Sequence, residues 1–205
     1  MEYKTTKSLI QYSDAIEFME KQIEKIHEDK AKEMVWFLEH PAIYTAGSSA
    51  SDHELMNLDK FPVYLSGRGG KYTYHGPGQR VVYLMLDLRS RGQDIRKYVA
   101  SLEDWIIASL AEIGLFSQKI EGKIGIWTKS KEGRDVKIAA IGIRVRKWIA
   151  YHGIAINVNP NLEHYKGIIP CGISDFGVTS LHELGYNSSM EDLDRILKEK
   201  LNDFL

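Results

Sequence analysis

Apolar residues recur at helical spacing over residues 14–28, where Ile16, Met19, Ile23 and Ile26 share one face. Asp14, with Glu17 three residues later, has the spacing of an N-terminal capping pair for that helix. A second amphipathic helix begins at Asp94, carries Val99, Leu102, Ile106, Leu110 and Ile113 on one stripe, and meets a stop at Gly114. A third carries Leu193, Leu197, Leu201 and Phe204, with Ser188 and Glu191 spaced as its capping box. Between the helices the pattern shortens. Residues 34–38 are an apolar run stopped by Pro41, and 81–88 a second run whose Val81, Val82 and Tyr83 favour a strand. Residues 124–128 lead into a polar turn over 129–135, centred on Gly133. After it Ile141, Ile143 and Val145 alternate with Gly142, Arg144 and Arg146; Ile154, Ile156 and Val158 repeat the alternation and end at Asn159-Pro160. The order helix, strands, helix, strands, helix predicts an α+β fold with a mixed sheet flanked by helices. No repeat or long linker divides it, so residues 1–205 read as one domain.

Composition narrows the function classes. The 205 residues are 43% hydrophobic and 27% charged, with a formal net charge of −1. That balance offers no bulk attraction to nucleic acid or to an anionic membrane. No window approaches the roughly 20 apolar residues of a membrane span, and the first residues lack a signal-peptide core. The single cysteine, Cys171, excludes an internal disulfide and agrees with a reducing, cytoplasmic location.

Three segments place glycine, histidine, lysine or cysteine where a core element would place leucine. Residues 67–79, GRGGKYTYHGPGQ, hold five glycines, so the backbone can approach a ligand and line an anion or oxyanion site with N–H groups. They lack the Gly-Lys-Ser/Thr of a phosphate loop and the third glycine of a dinucleotide fingerprint; a plain surface turn is the alternative. Lys137 enters the apolar run Ile138-Ala139-Ala140-Ile141-Gly142. It is either a solvated strand end or a buried amine suited to proton transfer. Cys171 lies between Pro170 and Gly172, and is either a small buried hydrophobe or a thiol exposed on a turn and activated by a nearby positive group. His75, His152, His164 and Cys171 include no close His pair and no Cys-x-x-Cys, so no metal is expected.

Taken together, these segments resemble the lipoyl(octanoyl) transferases, the octanoyl-[acyl-carrier-protein]:protein N-octanoyltransferases. The resemblance rests on Arg68-Gly69-Gly70-x-x-Thr73-Tyr74-His75-Gly76-Pro77-Gly78-Gln79, on Lys137-Ile138-Ala139 and on Pro170-Cys171-Gly172. Glu39-His40-Pro41, Tyr44-Thr45-x-Gly47 and His152-Gly153-Ile154-Ala155-Ile156-Asn157-Val158 support it in the family's order. Lys71 stands where the family more often has glutamine. The resemblance implies the biotin/lipoate protein ligase-like catalytic fold, Cys171 as acyl-thioester nucleophile and Lys137 as its activating partner. It further implies an acyl pocket from Arg68, Gly69, Gly70, Lys71, Tyr72, Thr73, Tyr74 and His75, with Ala140, Ile141, Gly142, Gly153, Ile154 and Ala155, in which Gly142 and Gly153 leave room for an eight-carbon chain.

The implied partners are octanoyl-acyl carrier protein as donor, and as acceptors the lipoyl domains of 2-oxoacid dehydrogenases and the glycine cleavage H protein. No cofactor is implied, because thiol–thioester exchange needs none. Arg144, Arg146, Lys147 and Lys71 are candidates to steer an acidic carrier protein. An ATP-dependent lipoate–protein ligase on the same fold would not need Cys171. A thiol hydrolase would share the nucleophile and differ in acceptor, and a non-catalytic carrier-binding module would need neither.

Overall fold

A computed structural model describes residues 1–56, 60–169 and 177–205 of the chain. The strands are β1 (Glu2–Leu9), β2 (Met34–Glu39), β3 (Ile43–Ala46), β4 (Val63–Leu65), β5 (Tyr72–His75), β6 (Gln79–Asp87), β7 (Gln118–Ile120), β8 (Lys123–Lys129), β9 (Asp135–Arg146), β10 (Ile149–Asn157) and β11 (Gly177–Val178). The helices are α1 (Tyr12–His27), α2 (Ile95–Glu112) and α3 (Met190–Leu201). Among the described residues the main sheet runs β1-β2-β6-β10-β9-β8-β7, with β11 parallel to β9, and a smaller sheet runs β4-β3-β5. Parallel β1–β2 and antiparallel β2–β6 pairs make the main sheet mixed, as the element order predicts.

The continuous apolar run of β6 follows from burial on both faces. Val82, Leu84 and Leu86 point into a core shared with Leu102, Trp105 and Ile106 of α2 and with Leu193 and Leu197 of α3. Val81, Tyr83 and Met85 point the other way, onto Met19 and Ile23 of α1. Trp105 Nε1 donates to the Leu197 carbonyl at 2.9 Å and ties α2 to α3. Ile141, Ile143 and Val145 pack partly buried against the first core, the covered face their alternation predicts. The β9–β10 hairpin turns on Lys147 and Trp148 with φ of 52° and 63°, left-handed values that glycine or asparagine usually supplies.

Two caps differ from expectation. Helix α1 starts at Tyr12 with Gln11 as an N-cap that makes no side-chain bond, and Asp14 lies inside the first turn. Helix α3 is capped by Ser189 with Asp192 rather than by Ser188 with Glu191; the sequence S-S-M-E-D fits both registers. On α3, Asp194 meets Arg80 of β6, Oδ1 to Nε at 2.8 Å, with both side chains almost fully buried. Burial pushes the Asp194 carboxyl above its ordinary value, opposed by the Arg80 and Lys198 charges. Asp194→Ala strands the Arg80 charge in the interior, and urea unfolding should show a loss of about 3–5 kcal/mol.

Candidate active site

The glycine-rich segment is not a free loop. Its second half, Tyr72–His75, is strand β5, buried along its length and paired antiparallel with β3. Arg68, before it, is folded inward: its guanidinium donates to the Thr45 carbonyl at 2.8 Å, to Thr45 Oγ1 at 2.7 Å and to the Gly69 carbonyl at 2.9 Å. This packing requires glycine at two facing positions. A Cβ on Gly47 would stand 2.2 Å from the Gly70 oxygen, and one on Gly142 would stand 2.7 Å from Arg68 Cδ. Gly142 therefore admits the arginine as well as lining the cavities beside it. Gly153, its cross-strand partner, is equally tight, because a Cβ there would lie 2.1 Å from the Val82 oxygen.

Two cavities meet on the rim formed by Gly70, Lys71, Ile141 and Gly142, which line both. The inner one is walled by Val81, Ala140, Ile154 and Ala155 and reaches Arg68, Thr73, His75 and Gly153. The outer one, about 390 Å³, is lined by Ser49, Gly69, Lys123, Ile124, Lys137 and Ile143 among others. Of the expected pocket residues, Tyr72 and Tyr74 belong instead to the small sheet's own core. Tyr74 OH is 2.8 Å from His164 Nδ1. The alternation of β5 turns these tyrosines away while Thr73 and His75 face the cavity.

Lys137 is only 6% exposed, which removes the solvated-strand-end alternative. Its Nζ donates to the Ile124 carbonyl at 3.0 Å and lies 4.7 Å from the centre of the Trp127 ring. Gly125 lies against this lysine at φ 114°, and a Cβ there would meet the Ala139 oxygen at 2.8 Å and Lys137 Cε at 3.3 Å. Lys71 is engaged as well: its ammonium pairs with the Glu54 carboxylate, which is 1% exposed at the side chain. Arg146 and Lys147 both reach Glu24 of α1 at 3.2 Å. Three of the four cations expected to steer a carrier protein thus have carboxylate partners within the chain.

Histidines gather at the inner end of the cavity. His40 Nδ1 lies 2.6 Å from the Ile10 carbonyl, which can only accept, so Nδ1 carries the proton. Burial holds the His40 imidazole neutral, down at about 4, so its Nε2 accepts from Tyr83 OH at 2.7 Å. Burial likewise takes His75 and His152 down to about 3. Gln79 Nε2 is 3.2 Å from the Tyr74 carbonyl and 2.8 Å from Tyr165 OH, which leaves Oε1 to accept from His75 Nδ1 at 2.7 Å. Tyr12 and Glu54 belong to none of the motifs, and Tyr83, four residues past Gln79, reads in the sequence only as part of a strand.

The model of the lipoyl protein ligase A/B catalytic domain matches residues 11–202. The chain belongs to this family. An octanoyltransferase of Rhodospirillum rubrum is 53% identical over 197 residues, covering 96% of this chain and 91% of that protein. One from Zymomonas mobilis is 52% identical over 205 residues, covering 100% and 94%. A bipartite lipoate protein ligase from Thermoplasma acidophilum superposes with a TM-score of 0.74 at 16% identity, covering all of this chain and 84% of the other. Biotin protein ligase from Aquifex aeolicus, in complex with biotin and ATP, gives 0.55 at 14%, covering 99% and 68%. These superpositions bear out the lipoate/biotin ligase-like fold.

In this member of the family the expected nucleophile, Cys171, lies outside the described residues together with Pro170 and Gly172. The residues flanking that segment are placed. Ile169 N–H donates to the Glu54 carbonyl at 2.7 Å. On the far side Gly177–Val178 pairs with Val136 and Lys137, and Thr179 N–H donates to the Lys137 carbonyl at 2.9 Å. Among the described residues no helix is long and apolar enough to cross a membrane.

Proposed function

We propose that the protein is an octanoyltransferase of protein lipoylation. It takes the acyl group from octanoyl-acyl carrier protein onto Cys171 and passes it to a lipoyl-domain lysine in the cytoplasm. The observation that carries this reading is the Lys137 amine, buried on the wall of an open cavity that joins a narrower apolar one. The near-full-length identity to octanoyltransferases supports it. The acceptors are lipoyl domains of 2-oxoacid dehydrogenases and the glycine cleavage H protein.

In the first step Lys137 draws the proton from Cys171, or stabilises its thiolate, and the sulfur attacks the donor carbonyl. The carbon–sulfur bond to the phosphopantetheine arm breaks, and that thiolate recovers the proton. Backbone N–H groups of the glycine-rich segment supply donors to the tetrahedral oxyanion. In the second step the acceptor amine attacks the Cys171 thioester; the carbon–nitrogen bond forms, Cys171 leaves as thiolate, and Lys137 takes the amine proton. The acyl chain occupies the inner cavity between Ala140, Ile141, Ile154 and Ala155, with Arg68, Gly70, Lys71, Thr73 and His75 closing it and Gly69 on the adjoining outer cavity. Conversion of thioester to amide is downhill and needs no ATP.

The test is transfer to an apo lipoyl domain from octanoyl-acyl carrier protein in buffer without nucleotide or Mg²⁺, read as the acceptor's mass. The expected product is an octanoylated domain with the sulfhydryl of the carrier released. Modification only when ATP and free octanoate are supplied would mean a ligase instead.

A further inference from the structure

The inner end of the acyl cavity differs from its walls. Val81, Ala140, Ile154 and Ala155 are apolar, whereas His75, His152 and Tyr83 bring polar atoms to the same space. Two of these side chains have unused hydrogen-bonding capacity. His75 spends Nδ1–H on Gln79, and, the ring being neutral, its Nε2 is a lone-pair acceptor with no partner among the described residues. His152 makes no hydrogen bond through either ring nitrogen among the described residues, although it is 3% exposed. It therefore offers one N–H and one lone pair into the cavity it lines.

His152 is also held at φ 62° in the middle of strand β10. A non-glycine residue in the left-handed region costs free energy, and such strain gathers where a side chain is wanted in a set direction. The free ring nitrogens are open to the cavity rather than sealed in the packed interior, and covering them without supplying a partner is costly. A saturated chain pushed among them would displace any water there and leave two imidazoles unsatisfied. A chain ending in a hydroxyl would donate to an imidazole lone pair that it reaches, His75 Nε2 or the unprotonated nitrogen of His152.

Resting on the acyl-transfer reading above, we propose that His75 and His152 form a hydrogen-bonding subsite that reads the distal end of the acyl chain. It halts a plain alkyl chain at its edge and accepts a longer chain that carries a terminal hydroxyl. The two imidazoles are specificity-determining groups and take no part in bond making.

The experiment pairs isosteric donors on acyl carrier protein. Nonanoyl is set against 8-hydroxyoctanoyl and decanoyl against 9-hydroxynonanoyl, continuing to dodecanoyl and its hydroxyl counterpart, with octanoyl as reference. Each pair competes for one apo lipoyl domain and products are counted by mass. The hydroxyl donor should win by about tenfold in kcat/KM at the length that reaches the subsite. His75→Leu should reverse that order, and His75→Gln, which keeps a donor and an acceptor, should retain it. If the alkyl donor wins at every length in the unsubstituted protein, the subsite is refuted whether or not the variants fold. An unchanged ratio in a folded His75→Leu protein refutes it too. Failure with octanoyl itself overturns the acyl-transfer reading, and the inference with it.

Discussion

Lys137→Met is expected to lower transfer to a lipoyl domain by about 10³-fold while the protein stays folded. General acid–base groups contribute about 10²–10⁴-fold, and this amine is the candidate for both proton transfers. Methionine keeps the length and the contact with Trp127 but removes the nitrogen that donates to the Ile124 carbonyl. Ile124 is exposed, so water can serve that carbonyl, and a stability loss of only about 1 kcal/mol accompanies the change. Lys137→Arg is expected to fail as well, because the guanidinium is always charged and cannot accept a proton. Thermal melts separate folding from chemistry. A Lys137→Met protein with more than a tenth of the original rate would remove Lys137 from the mechanism.

The second large effect is on stability at acid pH. His40, His75 and His152 are held neutral by burial, at about 4, 3 and 3 against an ordinary 6.5. Because each folded value is depressed, the unfolded chain binds protons first as pH falls. Stability from these groups is therefore fully present above pH 6.5, and it declines as pH drops toward the folded values. The slope is about 1.4 kcal/mol per pH unit for each imidazole, so the trio removes about 4 kcal/mol per unit between pH 6 and 4.5. That exceeds what a marginally stable domain can lose over two units, and unfolding should be evident near pH 4.5. Urea titrations at pH 7, 6 and 5 measure the slope; a midpoint unchanged across them would mean that the histidines are not buried as described.

Much of the frame was legible because it follows from period. The apolar face of Met19, Ile23 and Ile26, the stripe from Leu102 to Leu110 and the two-faced run of β6 each write their burial into the chain. Strand β1 was missed because it is an edge strand with most side chains exposed, so no alternation marks it. Strand β5 was hidden by the glycines around it, which read as a loop until Tyr72 and Tyr74 found their own small core.

At the site, the motif residues line two adjoining cavities, yet their separate tasks needed three dimensions. Gly142, expected to leave room for a chain, lines both cavities and also admits Arg68. Lys71, seemingly a stray cation where glutamine is commoner, answers the buried Glu54, seventeen positions away and in no pattern with it. The meeting of His40 with Tyr83, and of His75 with Gln79, depends on the sheet order β2-β6-β10 and on the β5 pairing, which no local spacing specifies.

In the proposed reaction the acyl group rests on Cys171 between donor and acceptor. The most direct measurement is the intact mass of the purified protein after incubation with octanoyl-acyl carrier protein, without ATP and before any acceptor is added. The mass should rise by one octanoyl group, the rise should vanish in Cys171→Ser, and an apo lipoyl domain should discharge it. Transfer at full rate by Cys171→Ser, with no acylated protein at any time, would contradict the account.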